Sequence, residues 1–255
     1  MSSTVGVVVP AFRPDIPELR RYVTAIVETV APETVVVELD APKDGVVAQL
    51  GDLPAVVETV PYRRGKGAAI TAGFEHLETD VLVFADADGS TPVDSLADVV
   101  EEVRSGSADL SVGSRRHPDA SVASHQTFAR RFLGDGFAWL AGNLLSVSLF
   151  DYQCGAKAIT ASGWGQVRQH LYEPGFAWDV ELVAIAGALD LRVTEVPIRW
   201  EDRPGSTVSP VRDSLALFRA LLASRHRAKQ LSDDRLHTAI AARREQPTAL
   251  VERDR

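Results

Sequence analysis

The alternation of strand-like and helix-like segments over the first two-thirds of the chain is the feature that most constrains its fold. Continuous apolar runs at residues 5–9 and 81–84 are typical of strands that are covered on both faces of a sheet. Helical patterns follow such runs, as at residues 17–30 and 93–104. This β-α-β-α order predicts a single Rossmann-like α/β domain whose sheet is mostly parallel and covered by helices.

The composition excludes several classes of protein. A net charge of −8 over 255 residues argues against general attraction to nucleic acid, so we expect no nucleic-acid partner. The single cysteine, Cys154, rules out a disulfide within the chain and a metal site built from several cysteines. No uninterrupted run of about 18 apolar residues occurs, so we expect no transmembrane helix. We predict a cytoplasmic location, with peripheral contact at the cytoplasmic face of a membrane as a candidate.

The C-terminal region differs in character from the rest of the chain. Residues 211–229 are predicted to form an amphipathic basic helix, and the polar residues after it a mobile tail. We therefore divide the chain into a domain over 1–210, a helix over 211–230 and a tail over 231–255. The helix can pack on the domain or on a second subunit, as in a homo-oligomer, or lie on a membrane surface.

A short acidic turn follows the fourth predicted strand. Asp86 and Asp88 stand one residue apart, directly after an apolar run. Carboxylate oxygens are hard ligands, so this pair suits Mg²⁺ or Mn²⁺ held beside a substrate phosphate. The alternative is a polar loop in which Ser90 or Thr91 caps the next helix. Ligands bind at the carboxyl ends of strands in parallel sheets, and Asp40 also falls at such an end.

A basic turn with two glycines precedes the third predicted helix. Its sequence is Arg-Arg-Gly-Lys-Gly at residues 63–67. Glycine lets the backbone approach an anion, and a helix N-terminus attracts phosphate. We expect phosphate contact here, with a plain basic turn as the alternative.

Three later segments combine charges with aromatic residues or glycine. Residues 151–157 place an acid, an amide and a lysine around Cys154, for which burial as a small hydrophobe is the simpler reading. Residues 178–181 put two acids at the start of an apolar helix, where acids also complement the helix dipole. Residues 200–206 follow the last predicted strand, where a mobile loop can close on a diphosphate.

These motifs form an ordered series along residues 5–210. The series runs Val-Val-Pro-Ala-Phe at 8–12, Asp at 40, Arg-Gly-Lys-Gly-Ala-Ala at 64–69, Asp-Ala-Asp at 86–88, Gly-Ser-Arg at 113–115, Asp-x-x-Cys-Gly-x-Lys at 151–157, Trp-Asp-x-Glu at 178–181 and the segment 200–206. It resembles family 2 glycosyltransferases of the GT-A fold, most closely the polyprenyl-phosphate group of dolichyl-phosphate glucosyltransferases and mannose synthases. The resemblance implies inverting, metal-dependent transfer of a hexose from a nucleoside-diphosphate sugar to a polyprenyl or dolichyl phosphate.

The resemblance also implies roles for particular residues. The base and ribose of a UDP- or GDP-linked sugar would be lined by Pro10, Ala11 and Asp40. The residues near the nucleotide would be Arg64 and Lys66. Mg²⁺ or Mn²⁺ would be held by Asp86 and Asp88, the latter bridging the metal to the diphosphate. The acceptor phosphate would meet Arg115 and Arg130, and the donor or acceptor phosphate would meet Arg203. The sugar or the acceptor would be oriented by Glu181.

Three sites depart from the family pattern. Arg13 and Pro14 stand where the family usually has Asn-Glu, and Asp15 is a candidate substitute for the acid. Leu39 stands where the first of two aspartates often lies, which leaves the choice of base open. Thr207 replaces a frequent lysine and so removes one cation that would bind phosphate.

Other reactions and roles remain as alternatives. A phosphate acceptor is anionic near neutral pH and attacks without a general base, whereas a sugar hydroxyl would need one, with Asp179 or Glu181 as candidates. A haloacid-dehalogenase-type phosphatase would use Asp86 as nucleophile, but that loop usually follows the first strand. A nucleotidyltransferase would need glycine after the first strand, and residues 9–12 contain none. A non-catalytic scaffold is the last alternative, against which the intact acid pair argues.

Overall fold

The computed structural model describes residues 3–123, 128–201, 210–232 and 247–253, with the backbone alone for 123, 128–135 and 210–214. The strands are β1 (Val5–Phe12), β2 (Thr34–Asp40), β3 (Val56–Val60), β4 (Val81–Ala85), β5 (Leu110–Ser114), β6 (Ser121–Ala123), β7 (Ala156–Thr160), β8 (Val193–Pro197) and β9 (Arg199–Glu201). The helices are α1 (Ile16–Val30), α2 (Val46–Gln49), α3 (Lys66–Glu75), α4 (Val93–Arg104), α5 (Phe128–Leu144), α6 (Ala161–Val167), α7 (Trp178–Ala188), α8 (Pro210–Leu231) and α9 (Leu250–Arg253). A 3₁₀ turn, Arg168–His170, follows α6.

Within the described residues, seven strands form one sheet in the order β3-β2-β1-β4-β7-β5-β8. Every neighbouring pair is parallel except the two pairs of β7, which runs antiparallel between β4 and β5. The prediction of a mostly parallel, helix-covered sheet is therefore confirmed. The strand order reverses between β1 and β4, and such a reversal opens a crevice at the carboxyl ends of these two strands.

The continuous apolar runs have the physical cause that the sequence indicated, which is burial on both faces. Successive side chains of a strand point to opposite faces. On β1, Val7 and Val9 join a core under α1 and α4, while Val8 joins a second core with α3 and α7. Each central strand therefore needs apolar residues at every position rather than at alternate ones.

The chain after β5 departs from the predicted outline. The pattern of residues 193–200 predicts one late strand, but the chain forms two there. β8 lies in the large sheet, and β9 pairs in parallel with β6 in a separate ribbon. The pattern of residues 124–150 predicts a long, mostly helical segment, but α5 ends at Leu144. The tail predicted over 231–255 contains a segment that packs on the domain, because Ala249, Leu250 and Val251 are buried.

Candidate active site

The acidic turn lies where the strand order reverses. Asp86 directly follows β4, and its backbone N–H donates to the Gly155 carbonyl oxygen at 2.9 Å. The Asp88 carboxylate accepts from the backbone N–H of Ser90 at 2.9 Å, and Gly89 has a positive φ of 63°. Asp86 is half-buried and Asp88 is exposed, so both carboxylates remain accessible at the crevice.

Gly155 makes room for the Asp86 carboxylate. A Cβ atom built on Gly155 would lie 1.9 Å from Oδ2 of Asp86. A side chain at position 155 would displace the Asp86 carboxylate, so glycine there leaves the room that this carboxylate occupies. The sequence pattern around Cys154 does not predict this contact, because it joins two segments that are far apart in the chain.

The pair of aspartates fits a divalent cation of the predicted kind. Among the described residues, no group of three or more His, Cys, Asp or Glu side chains could hold a metal ion. Mg²⁺ commonly needs only one or two protein carboxylates when substrate phosphates and water complete its shell. Asp86 and Asp88 are such a donor set, and they would be the residues that hold the ion.

Lys66 stands beside the acidic turn at the first position of α3. Its Nζ lies 2.9 Å from Oδ1 of Asp86 and 3.0 Å from Oδ2 of Asp179, and Oδ1 of Asp179 accepts from the buried Lys157. Burial alone would lower the pKa of Lys66, but Asp179 and Asp86 outweigh it and raise this pKa above its ordinary value. Lys66 is therefore a permanent positive charge at a helix N-terminus.

Arg64 and Asp40 lie together at the end of β2 and bind each other. The Arg64 guanidinium donates to Asp40 at 2.8 Å and to Glu38 at 2.7 Å, with all three side chains buried. The backbone N–H groups of Arg64 and Gly65 also donate to Oδ2 of Asp40, at 2.7 and 3.1 Å. The direct effect of Asp40 is thus to fix the basic turn against the end of β2.

The first strand contributes its end to the same crevice. Pro10 is half-buried and Ala11 is buried on β1, paired in register with β2. Asp15, the candidate substitute for a missing acid, instead caps α1 by accepting from the Glu18 backbone N–H at 3.0 Å. The exposed Arg63 lies over the Phe12 ring at 4.3 Å from its centroid.

Arg115 lies on the other side of the acidic turn. It donates through Nε and a terminal nitrogen to both carboxylate oxygens of Asp151, at 2.6 and 3.0 Å. Burial would lower the pKa of Arg115, but Asp151 outweighs it, with a smaller contribution from Asp86, and raises that pKa further. A cavity of about 30 Å³, room for one water, lies beside the pair against Arg116 and Phe150.

Glu181 has protein partners on every side. It is fully buried, accepts from the backbone N–H groups of Tyr172 and Glu173 at 2.8 Å each, and pairs with Arg227 of α8. Burial raises the pKa of Glu181 despite this pairing. Two predicted site residues lie outside this picture: the Arg130 side chain and Arg203 are not among the described residues.

A Rossmann-like sheet with an acid pair and a lysine-bearing helix start at its switch point defines a candidate metal and phosphate site. The profile of the family described as Glycosyl transferase family 2 matches residues 6–138, more than half of the chain. The chain therefore belongs to glycosyl transferase family 2, and the family resemblance of its motifs is confirmed.

Individual relatives agree with this assignment. The chain is 32% identical over 160 residues to Glycosyltransferase AglD of Haloferax volcanii, which covers 63% of this chain and 25% of that protein. It is 31% identical over 180 residues to the dolichyl-phosphate beta-glucosyltransferase of Mus musculus, which covers 67% of this chain and 54% of that protein. The chain thus spans between a quarter and about half the length of these relatives.

A solved structure agrees with the fold. Glucosyl-3-phosphoglycerate synthase from Mycobacterium tuberculosis, crystallised with Mn²⁺, uridine diphosphate and phosphoglyceric acid, superposes with a TM-score of 0.65. The match covers 88% of this chain and 78% of that one at 17% sequence identity. At this identity the likeness concerns the fold alone, and it confirms the predicted GT-A architecture.

Proposed function

We propose that this chain transfers a hexose from a UDP- or GDP-linked sugar to a polyprenyl or dolichyl phosphate, with inversion at the anomeric carbon. The observation that carries the proposal is the accessible Asp86 and Asp88 pair beside Lys66, in a chain about one-third identical to dolichyl-phosphate beta-glucosyltransferases. The donor diphosphate would bind at the start of α3, with Pro10 and Ala11 lining the nucleoside.

The donor site would also hold a divalent cation. The structural neighbour from Mycobacterium tuberculosis was solved with Mn²⁺ and uridine diphosphate, and the acid pair here suits Mn²⁺ or Mg²⁺. When bound, the ion would neutralise charge that develops on the departing diphosphate. Lys66 adds a fixed positive charge to the same oxygens, and the N–H groups at the start of α3 add dipoles.

The acceptor would approach from the Arg115 side of the turn. A phosphate monoester is already anionic near neutral pH, so alignment and charge neutralisation replace a general base. Arg115 would meet this phosphate, with Arg130 and Arg203 as further proposed contacts. If the acceptor is a sugar hydroxyl, Asp179 would be the candidate base, but both of its carboxylate oxygens are already paired, with Lys66 and with Lys157.

A lipid acceptor requires contact with a membrane surface, and we propose that α8 provides it. Leu215, Phe218 and Leu222 are 54%, 40% and 44% exposed, and their spacing places them on one helix face. A second copy of the chain is the alternative occupant. The location at the cytoplasmic face stays a prediction. No helix in the described ranges combines the length and apolar character needed to cross a membrane.

A transfer assay tests the proposed function. Purified protein would be mixed with Mn²⁺ or Mg²⁺, radiolabelled UDP- and GDP-hexoses and dolichyl or short polyprenyl phosphate, with Asp88→Asn as the inactive control. We expect label to enter the organic phase from one donor, and to be lost in the control variant. The assay would also offer phosphoglyceric acid as a soluble acceptor with one free hydroxyl.

The other outcomes separate the alternatives. Metal-dependent hydrolysis of a nucleotide sugar, or label in the soluble acceptor, without lipid product would keep the donor site and move the acceptor to water or a hydroxyl. If the protein neither transfers a sugar nor binds any nucleotide sugar, the enzyme proposal is overturned and a scaffold role is favoured. Phosphate release from simple phosphate esters would favour the phosphatase alternative.

A further inference from the structure

The loop of residues 171–175 packs tightly on the start of α3. The backbone N–H of Ala68 donates to the Pro174 carbonyl oxygen at 3.1 Å. A Cβ atom on Gly65 would lie 2.5 Å from that same oxygen, and one on Gly67 would lie 2.6 Å from the Glu173 carbonyl oxygen. Backbone therefore touches backbone without intervening side chains, so a shift of the loop must move the helix start that carries Lys66.

A buried carboxylate holds this loop in place. Glu181 accepts from the N–H groups of Tyr172 and Glu173, and its other oxygen pairs with the Arg227 guanidinium. The same guanidinium lies 4.6 Å from the centroid of the Tyr172 ring. Glu181 is completely inaccessible, so removal of Arg227 would leave a buried negative charge with only two amide donors.

Helix α8 brings Arg227 to this position. Leu221, Ser224 and Ala228 are buried on α8, which packs along α7, the helix that carries Glu181. The loop has a second support in the C-terminal segment, because the Leu250 N–H donates to the Leu171 carbonyl oxygen at 2.8 Å. Both supports lie beyond the part of the chain that matches the family profile.

We propose that Glu181 and Arg227 are positioning residues that act through the 171–175 loop to set the start of α3, and with it Lys66, for the donor diphosphate. This inference rests on the proposed function and deepens it. In this proposal Glu181 does not contact the sugar or the acceptor. It affects nucleotide binding indirectly, through the loop. It also makes α8 part of the donor site, although α8 need not touch the donor.

Two measurements on Arg227→Met test the inference. Methionine keeps much of the apolar stem and removes the charge, and the matched control is Arg219→Met on the exposed face of the same helix. We expect calorimetric titration with UDP and GDP in Mn²⁺ to show binding weakened roughly tenfold in Arg227→Met and unchanged in Arg219→Met. Hydrogen exchange should become faster at residues 66–70 and 172–173 in Arg227→Met alone.

A second variant guards against simple misfolding. In the double variant Glu181→Gln with Arg227→Met, no buried charge remains, and we expect a folded protein with part of the nucleotide affinity restored. Arg227→Lys should retain more affinity than Arg227→Met, since an ammonium still pairs with Glu181. A melting temperature measured for each variant separates lost folding from lost positioning.

The outcomes distinguish this inference from the proposed function. Arg227→Met with wild-type affinity and wild-type exchange at residues 66–70 would overturn the positioning role and leave the proposed function standing. Wild-type protein that binds neither UDP nor GDP would overturn the donor site itself, and the role in nucleotide binding with it. Faster exchange at residues 66–70 without weaker binding would show a purely structural link and would also contradict the inference.

Discussion

The carboxyl edge of the sheet and helix α8 distribute charge and apolar surface in opposite ways. At the edge, Lys66, Lys157 and Asp179 form one ion-paired group whose side chains are at most 9% exposed. On α8, Leu215 and Phe218 are large apolar side chains left in contact with solvent. Buried charges and exposed apolar faces both cost stability, so each region indicates a function beyond folding.

The two regions differ in what completes them. Together with Asp86, the edge group contains two lysines and two aspartates whose charges balance inside the protein. A bound diphosphate and its metal would therefore replace existing partners of Asp86 and Lys66. On α8, by contrast, Leu215, Phe218 and Leu222 keep 40–54% of their surface exposed within the described part of the chain, and a membrane surface or another chain could cover it. Substitutions should therefore have large effects at the edge and small effects on stability at α8.

Asp179→Asn should have the largest effect. It leaves Lys66 and Lys157 without their shared carboxylate, and breaking a buried pair from one side costs about 3–5 kcal/mol of unfolding free energy. Urea unfolding measures the loss. The exposed Asp98→Asn is the matched control and should change stability by less than about 0.5 kcal/mol. Equal, small changes in both variants would contradict the view that the edge group is a coupled unit.

Asp151→Asn should cause the next largest loss of stability, and the size of this loss should depend on pH. Burial would raise the pKa of Asp151, but Arg115 outweighs it and lowers this pKa below the ordinary value of 3.8. Both states are ionised at neutral pH, where the pair should contribute about 2–3 kcal/mol. As the pH falls through 3.8 toward the lower folded pKa, the unfolded state takes up its proton first and the contribution disappears.

The stability difference between wild type and Asp151→Asn isolates that contribution from other acids. Asp80 and Asp109 also have lowered pKa values, through hydrogen bonds to Thr4 and Arg192, and they affect both proteins equally. We expect the difference to be constant near neutral pH and to shrink in acid. A difference that grows below pH 4 would contradict the assigned direction of the Asp151 shift.

Gly155→Ala should have a smaller effect on stability and a specific effect on metal binding. The new methyl group collides with the Asp86 carboxylate, and such overpacking typically costs about 1–3 kcal/mol. Because Asp86 must move, Mn²⁺ titration in the presence of UDP or GDP should show weaker binding. Gly165→Ala in α6 is the control: nothing lies within 4 Å of its added Cβ, so it should stabilise by about 0.5–1 kcal/mol.

Leu222→Ala should have the smallest effect on stability, within about 0.5 kcal/mol, because this side chain is exposed. Its neighbour on the buried side offers the contrast, since Leu221→Ala should cost about 2–5 kcal/mol. Cosedimentation with vesicles of zwitterionic and anionic lipids should fall in Leu222→Ala if α8 meets a membrane. Unchanged vesicle binding together with concentration-dependent self-association of wild type would favour a second subunit.

The part of the fold that depends on local pattern could be predicted from the sequence. The apolar runs of β1 and β4 and the helices after them have strong signals, because burial on both faces leaves no polar position in the strand. The antiparallel insertion of β7 has no such signal: Ala156–Thr160 is short, and its neighbours β4 and β5 are selected by contacts far along the chain.

The candidate site likewise contains some residues that could be predicted from the sequence and others that could not. Sequence patterns predict Asp86, Asp88 and Lys66 as site residues, because they lie directly after a strand or at the start of a helix. The partners of Asp40 and Glu181 could not be predicted, because Arg64 lies 24 residues from Asp40 and Arg227 lies 46 residues from Glu181. Side chains that a motif comparison assigns to substrate can thus be occupied by distant residues, and only the three-dimensional structure shows it.

A crystal structure with Mn²⁺ and UDP or GDP tests the central claim most directly. We expect an anomalous peak from Mn²⁺ against Asp88, with the diphosphate oxygens on the same ion and within hydrogen-bond distance of Lys66. The nucleoside should lie along the end of β1. A nucleotide bound elsewhere, or bound with no metal peak at the acidic turn while Lys66 keeps its contact with Asp86, would contradict the account.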